Sequence, residues 1–230
     1  MKVRSKLLAC AGWAAILLSA PQASGQIPIG YMEGKVSLDG QPIAMRRDKS
    51  SGLTSFPYIN NGQVLETANG RVWAWWGLFL AENSSLKMVS DHEADLVVEI
   101  RSGSAMVDTT ARAATVQYKG ATMVLNKRGE YRIYADTGRL RVYHGEATVT
   151  YGVALNCQSG ACVLKVGQES AKTIQAHKGE QVGLTDALPV SAALSSDKDA
   201  FERWVARLRW RSLWALQIDS QSGRGATGPL

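Results

Sequence analysis

"QYKGATMVLNKRGEYRIYADTGRLRVYHGEATV", residues Gln117 to Val149, is cut by Gly120, Gly129, Gly138 and Gly145 into short units in which apolar and polar residues alternate. Tyr131, Ile133 and Ala135 share one side, and Leu140 and Val142 are flanked by Arg139, Arg141 and Tyr143. A period of two places successive side chains on opposite faces of an extended chain, so each unit reads as a strand with one dry face and one wet face. The glycines supply the turns between them.

The same pattern extends outward over Tyr31 to Leu184. Leu96, Val98 and Ile100 form another one-sided set, Asp39-Gly40 and Asn61-Gly62 are two-residue hairpin signals, and Gly103 and Gly179 open further units. Helical spacing is absent from this region. A recurrence of roughly nine residues is too short for helix-containing repeats and suits stacked short strands, as a β-solenoid, a β-roll or a small sandwich. The expected fold class is therefore all-β over residues 26–190.

At Ser195 the pattern changes. "SSDKDAFERWVARLRWRSLWALQ" places Phe201, Trp204, Val205, Leu208 and then Ser212 or Trp214 at helical spacing. Ser196 is a candidate cap, Asp197 and Asp199 favour the helix start, and Arg207, Arg209 and Arg211 favour its end. One amphipathic closing helix is expected over residues 195–217, followed by a glycine-rich tail at 218–230.

The chain begins with Lys2, Arg4 and Lys6, an apolar run of 14 residues from Leu7 to Ala20, and then "PQASG". This reads as a secretory signal peptide over residues 1–25, cleaved after Gly25, with Ala23 the other candidate point. The run is too short to span a membrane comfortably, so no stable membrane insertion is expected once it is removed. Without it the net charge falls from +6 by the three cations lost, to +3. The basic balance is thus partly a targeting feature, and it gives no footing for nucleic-acid binding. A periplasmic or secreted location is expected, with a monomeric or weakly associating state.

Of the three cysteines, Cys10 lies in the leader, while Cys157 and Cys162 stand either side of "QSGA". In an oxidising envelope the pair reads as a staple at a hairpin tip, contributing about 2 kcal/mol by loop-closure entropy. Metal binding is the rival reading, but no second Cys or His pair stands nearby to complete a zinc site.

These motifs together resemble the FecR domain family of bacterial envelope proteins. "EGKVSLDGQPI", "NNGQVLETANGRV", "LFLAENSSLKM", "VEIRSGSAMV", the long stretch quoted first, "KGEQVGL" and "KDAFERW" follow in order over roughly residues 31–214. The resemblance implies a β-rich fold, an envelope location and a role in sensing or protein interaction. The best-known relatives span the inner membrane and control a sigma factor. Neither a cytoplasmic domain before the hydrophobic segment nor a receptor-facing module after the FecR-like region is expected here, and iron-citrate signalling is therefore not expected to carry over.

No catalytic machinery, cofactor or metal site is expected. Asp91, His92 and Glu93 are adjacent and would point to alternate faces of an extended chain. His144 and His177 lack a carboxylate or nucleophile at catalytic spacing, and "ENSSL" lacks the glycine-flanked elbow of a serine nucleophile. Two kinds of partner remain, an envelope protein or a glycan. The glycan reading rests on Trp73, Trp75 and Trp76, a dense aromatic set able to stack on sugars. Alternation puts Val72 and Ala74 on one face and Trp73 and Trp75 on the other. The stripe of the C-terminal helix, with Trp204, Trp210 and Trp214, is expected to dock over those tryptophans, removing about 300 Å² of apolar surface, on the order of 7 kcal/mol before entropy. Trp76 is then left at a turn as the aromatic available to a partner.

Overall fold

A computed structural model describes residues 26–47, 54–74, 77–90, 96–126, 128–158, 161–166, 171–185, 189–190 and 198–209. The chain opens with β1 (Ile27–Glu33), β2 (Val36–Leu38), β3 (Gln41–Pro42), the small pair β4 (Arg46–Arg47) and β5 (Thr54–Ser55), and then β6 (Tyr58–Ile59). Next come β7 (Val64–Thr67), β8 (Arg71–Ala74), β9 (Leu78–Leu80), β10 (Ser84–Ser90), β11 (Leu96–Ser102) and β12 (Ser104–Asp108). The quoted stretch supplies β13 (Ala114–Tyr118), β14 (Ala121–Leu125), β15 (Glu130–Tyr134), β16 (Arg139–His144) and β17 (Glu146–Tyr151). A separate hairpin, β18 (Val153–Gln158) and β19 (Ala161–Val166), precedes β20 (Lys172–His177), β21 (Gln181–Gly183) and β22 (Pro189–Val190). A helix, α1, covers residues 200–209.

Two nine-stranded sheets result. The first has the order β22-β21-β16-β15-β12-β9-β8-β1-β6, and the second β20-β17-β14-β13-β11-β10-β7-β2-β3. The chain lays strands alternately in the two, so both fill from one edge to the other nearly in sequence order. Neighbours are antiparallel except β11 and β13, which pair in parallel from Leu96↔Ala114 to Glu99↔Gln117. The architecture is thus a two-faced stack of short strands without a closed barrel.

The alternating apolar residues meet between the sheets. Ile29, Val72, Leu80, Ile133 and Val142 from the first sheet join Leu65, Leu86, Val98, Val116 and Val149 from the second in one buried cluster. Polar groups that enter this layer are paired across it, as burial requires. The Tyr131 hydroxyl on β15 donates to the Glu146 carbonyl at 2.8 Å, and the Tyr151 hydroxyl on β17 donates to the Gly183 carbonyl at 2.6 Å.

The glycines divide into two kinds. Gly120 closes the β13–β14 hairpin with Lys119, both at positive φ (80° and 40°), and a Cβ there would meet nothing within 4 Å. Gly103 (φ 73°) instead sits where the chain crosses from the second sheet to the first, and a Cβ would lie 2.2 Å from Ser84 Oγ and 2.5 Å from the Asn83 carbonyl oxygen. Turn conformation requires the first glycine, whereas stacking against the neighbouring corner requires the second.

Candidate functional site: the helix latched on the first sheet

Strand alternation breaks down at three central positions of the first sheet. Leu78-Phe79-Leu80, Ala105-Met106-Val107 and Tyr131-Arg132-Ile133 are buried on both faces. The cause is α1, which lies on the outer face. Phe201, Trp204, Val205 and Leu208, at the helical spacing read from the sequence, form a second apolar cluster with Phe79, Ala81 and Met106, against which Tyr31, Trp73 and Tyr143 pack. Trp204 meets Phe79 edge-on at 6.3 Å and lies 6.3 Å from Tyr31, and Trp73 stacks on Phe79 at 6.4 Å. These are favourable aromatic geometries.

The start of α1 is fixed by a reciprocal capping box. The Glu202 N–H donates to Asp199 Oδ1 at 2.9 Å, and the Asp199 N–H donates to Glu202 Oε2 at 3.2 Å. Asp199 therefore fills the capping role for which Ser196 was a candidate, because Asp199 has a glutamate three residues on to complete the box.

Glu202 also belongs to a buried polar centre. Its Oε1 accepts from Arg132 Nη1 at 2.9 Å and from the Tyr143 hydroxyl, while Arg132 Nη1 approaches Asp199 Oδ2 at 2.5 Å and Arg132 Nε donates to Ser104 Oγ at 3.1 Å. Arg132 is 4% exposed and Glu202 7%. The guanidinium lies 4.4 Å from the Tyr134 ring centroid and 5.1 Å from that of Phe201, so its faces are covered as well. Beyond the other end of the apolar stripe, Arg209 pairs with Asp108 at 2.9 Å and Glu130 at 2.8 Å. Ionic contacts thus hold the helix at both ends, with apolar packing between.

Two clefts flank α1. One, of about 270 Å³, runs between Tyr143, His144 and Lys178 on one side and Lys198, Val205 and Arg209 on the other. The second, of about 220 Å³, is lined by Tyr31, Glu33, Trp204, Arg207 and Leu208. Among the described residues no group of three or more His, Cys, Asp or Glu could hold a metal ion, and no helix is long and apolar enough to cross a membrane.

Of the residues singled out by sequence, Trp73 and Trp204 share the helix-docking cluster, and one face of Trp73 is taken up by Phe79. Trp75, Trp76, Trp210 and Trp214 lie outside the described residues, as do Asp91, His92 and Glu93. Cys157 and Cys162 are directly opposed across the β18–β19 hairpin. His177 lies 3.5 Å from Glu146, and His144 is exposed beside the larger cleft. The polar centre of Arg132, Tyr143, Glu202 and Asp199 was not read from the sequence. Arg132 occupies an outward position of an alternating strand, and only its distant partners on the helix make that position interior.

Two ionisation shifts bear on the latch. Burial disfavours the charged form of Asp199, but the Glu202 backbone N–H and the Arg132 guanidinium hold its carboxyl below the ordinary value of 3.8. Burial, followed by the hydrogen bond to Glu202, pushes the Tyr143 hydroxyl well above the ordinary 10.0. A depressed carboxylate stabilises the fold above its unfolded pKa and loses that contribution as pH falls through the folded value; a raised tyrosine stabilises below its unfolded pKa and loses it as pH rises. Trp204 emission is therefore expected to be flat between about pH 5 and 9 and to shift to the red on both sides of that window. A transition centred near neutrality, followed by fluorescence and amide exchange of residues 200–209, would contradict this assignment.

Comparisons with known proteins find no matching protein family and no curated relative. Two solved structures, both described as a "putative anti-sigma factor" from Parabacteroides distasonis, are similar over 57% of this chain and 56% of theirs, with 15% and 14% identity and a TM-score of 0.32 each. The chain thus matches just over half the length of these structures.

Proposed function

We propose that the protein is an exported, non-enzymatic FecR-like module of the bacterial envelope that works by binding another protein. The observation that carries this reading is the way the motifs of the resemblance fall on the structure. "EGKVSLDGQPI" spans the end of β1 through β3, "NNGQVLETANGRV" leads through β7 into β8, "LFLAENSSLKM" spans β9 and most of β10, "VEIRSGSAMV" crosses from β11 to β12, and "KDAFERW" carries the cap and first turn of α1. Each motif is one strand-turn-strand unit of the stack or the start of its closing helix. A resemblance spread over weak motifs thus corresponds to one architecture.

Export supplies the oxidising environment for a Cys157–Cys162 disulfide. Directly opposed residues of an antiparallel pair have Cα atoms about 4.5–5.5 Å apart, inside the range that a disulfide bridges. The glycan reading loses part of its platform, since Trp73 is engaged by Phe79 and the helix cluster.

The test is expression of the full chain in a Gram-negative host, with fractionation, intact mass and crosslinked capture from the periplasm. The expected product begins at Gln26, is lighter by two hydrogens than the reduced chain, and brings down one partner reproducibly in near-stoichiometric amount. Retention in the cytoplasm with an intact leader, or recovery of the bait alone, would overturn the proposal.

A further inference from the structure

The face under α1 is separable from the rest of the fold. Its apolar cluster, with Phe79 and Met106 below and Trp204 above, shares no described residue with the cluster between the two sheets. The core that joins the sheets therefore does not depend on what occupies the outer face of the first sheet. Helices in proteins are held mainly by such packing, so α1 keeps its place only as long as its contacts are the best on offer.

Individual groups on this face specify an occupant. Arg132, 4% exposed, needs a carboxylate, because a buried guanidinium left without one is strongly destabilising. Asp108 and Glu130 take a guanidinium, as they do from Arg209. Between these points Phe79 and Met106 present apolar surface. A segment that satisfies all three is a helix with a carboxylate at its start, an apolar stripe, and a cation seven positions later, the spacing of Glu202 and Arg209. α1 meets the charges but leaves space. The clefts of about 270 and 220 Å³ on its two sides each exceed the roughly 150 Å³ that admits a benzene-sized group. Ala206 lines the larger cleft, and its single methyl group is short of the room available beside Met106 and Tyr143.

A second copy of the chain is a poor competitor for this groove. Its α1 would bring the same contacts and leave the same space, against a resident helix tethered nine residues after Val190, for which the effective concentration is on the order of millimolar. Only a helix that matches the charges and fills the cleft displaces α1. We infer that the outer face of the first sheet is the docking groove for an amphipathic helix of a partner protein, and that α1 is the internal helix it displaces. The partner helix carries an acidic residue in its first turn, a bulky apolar residue four positions on, where α1 has Ala206, and a basic residue three further. The inference rests on the protein-binding reading above and specifies where the partner attaches and in what form.

The test uses a fluorescent peptide with the sequence of residues 198–210 carrying Ala206→Leu, the same peptide without that change, and one that carries Glu202→Lys as well. Each is titrated against the unaltered chain and against a full-length Ala206→Leu variant, in which a good helix former is placed beside open space. The expected result by anisotropy is that the leucine peptide binds the unaltered chain about ten-fold or more tighter than either other peptide. Residues 200–209 of the chain lose amide protection on binding while β9, β12 and β15 keep theirs. The Ala206→Leu variant, whose own helix fills the cleft, binds the leucine peptide about ten-fold or more weaker. Absence of binding, equal binding of the Glu202→Lys peptide, binding that leaves residues 200–209 protected, or a dimer of the unaltered chain that exchanges α1 between copies would each overturn it. The protection measurement needs no variant to fold. If Ala206→Leu captures the same periplasmic partner as efficiently as the unaltered chain, the groove is wrong while the protein-binding reading stands; if the unaltered chain captures nothing, the broader reading fails whatever the peptides do.

Discussion

Replacing Glu202 with alanine is expected to cost about 3 kcal/mol and to release α1 from the first sheet, because it leaves the Arg132 guanidinium buried beside an apolar cluster without its main partner. Breaking one side of a buried ion pair costs about 3–5 kcal/mol, and the lower end applies because Asp199 remains 2.5 Å from Arg132 on a half-exposed side chain. The substitution also removes the acceptor of the Tyr143 hydroxyl and one half of the capping box. Helix opening should precede unfolding of the sheets, since each interaction lost joins the helix to the stack or lies within its first turn. Amide exchange would show residues 200–209 losing protection while β15 and β16 keep theirs, with a red shift of Trp204 emission. Adding Arg132→Met should recover more than half of the loss, because an apolar side chain of similar length needs no counter-ion. A single variant as stable as the original chain would show that the pair contributes nothing.

Substituting Gly103 with alanine is expected to cost about 2–4 kcal/mol, combining the left-handed backbone penalty with overpacking. The added Cβ would fall 2.2 Å from Ser84 Oγ and 2.6 Å from Ser84 Cα, and Ser84 cannot retreat freely. Its hydroxyl donates to the Ser104 carbonyl and accepts from the Ser104 N–H, while the Gly103 N–H is held by Asp136 Oδ1 and the Gly103 carbonyl by the Ala135 N–H. For a domain of this size the loss corresponds to a fall in Tm of roughly 4–16 °C. Gly120→Ala is the control: it has a similar positive φ with nothing within 4 Å of the added Cβ, so only the backbone penalty of about 1–2 kcal/mol applies. Equal losses for the two variants, measured by urea or thermal unfolding, would mean that the corner is not close-packed.

The glycine and alternation pattern was enough to read strands because the signal is local. Val72 and Ala74 face the core and Trp73 faces the other way, as a two-residue period requires. The helical stripe of Phe201, Trp204, Val205 and Leu208 was legible for the same reason. Where a strand is covered on both faces, alternation does not distinguish interior from surface, and Phe79, Met106 and Arg132 are buried although they alternate with the residues that face the core between the sheets. Their burial depends on a helix about 70 residues away from Arg132 along the chain.

The sequence by itself determined that the protein is built of short, glycine-bounded strands with one closing helix, since turn chemistry and side-chain periodicity act between residues close along the chain. Tertiary structure decided that the strands fill two facing sheets in turn and that Arg132 and Glu202 meet. Each of these depends on which segments become neighbours in space, and pairing across the stack, unlike alternation along a strand, leaves no local signature in the residues that take part.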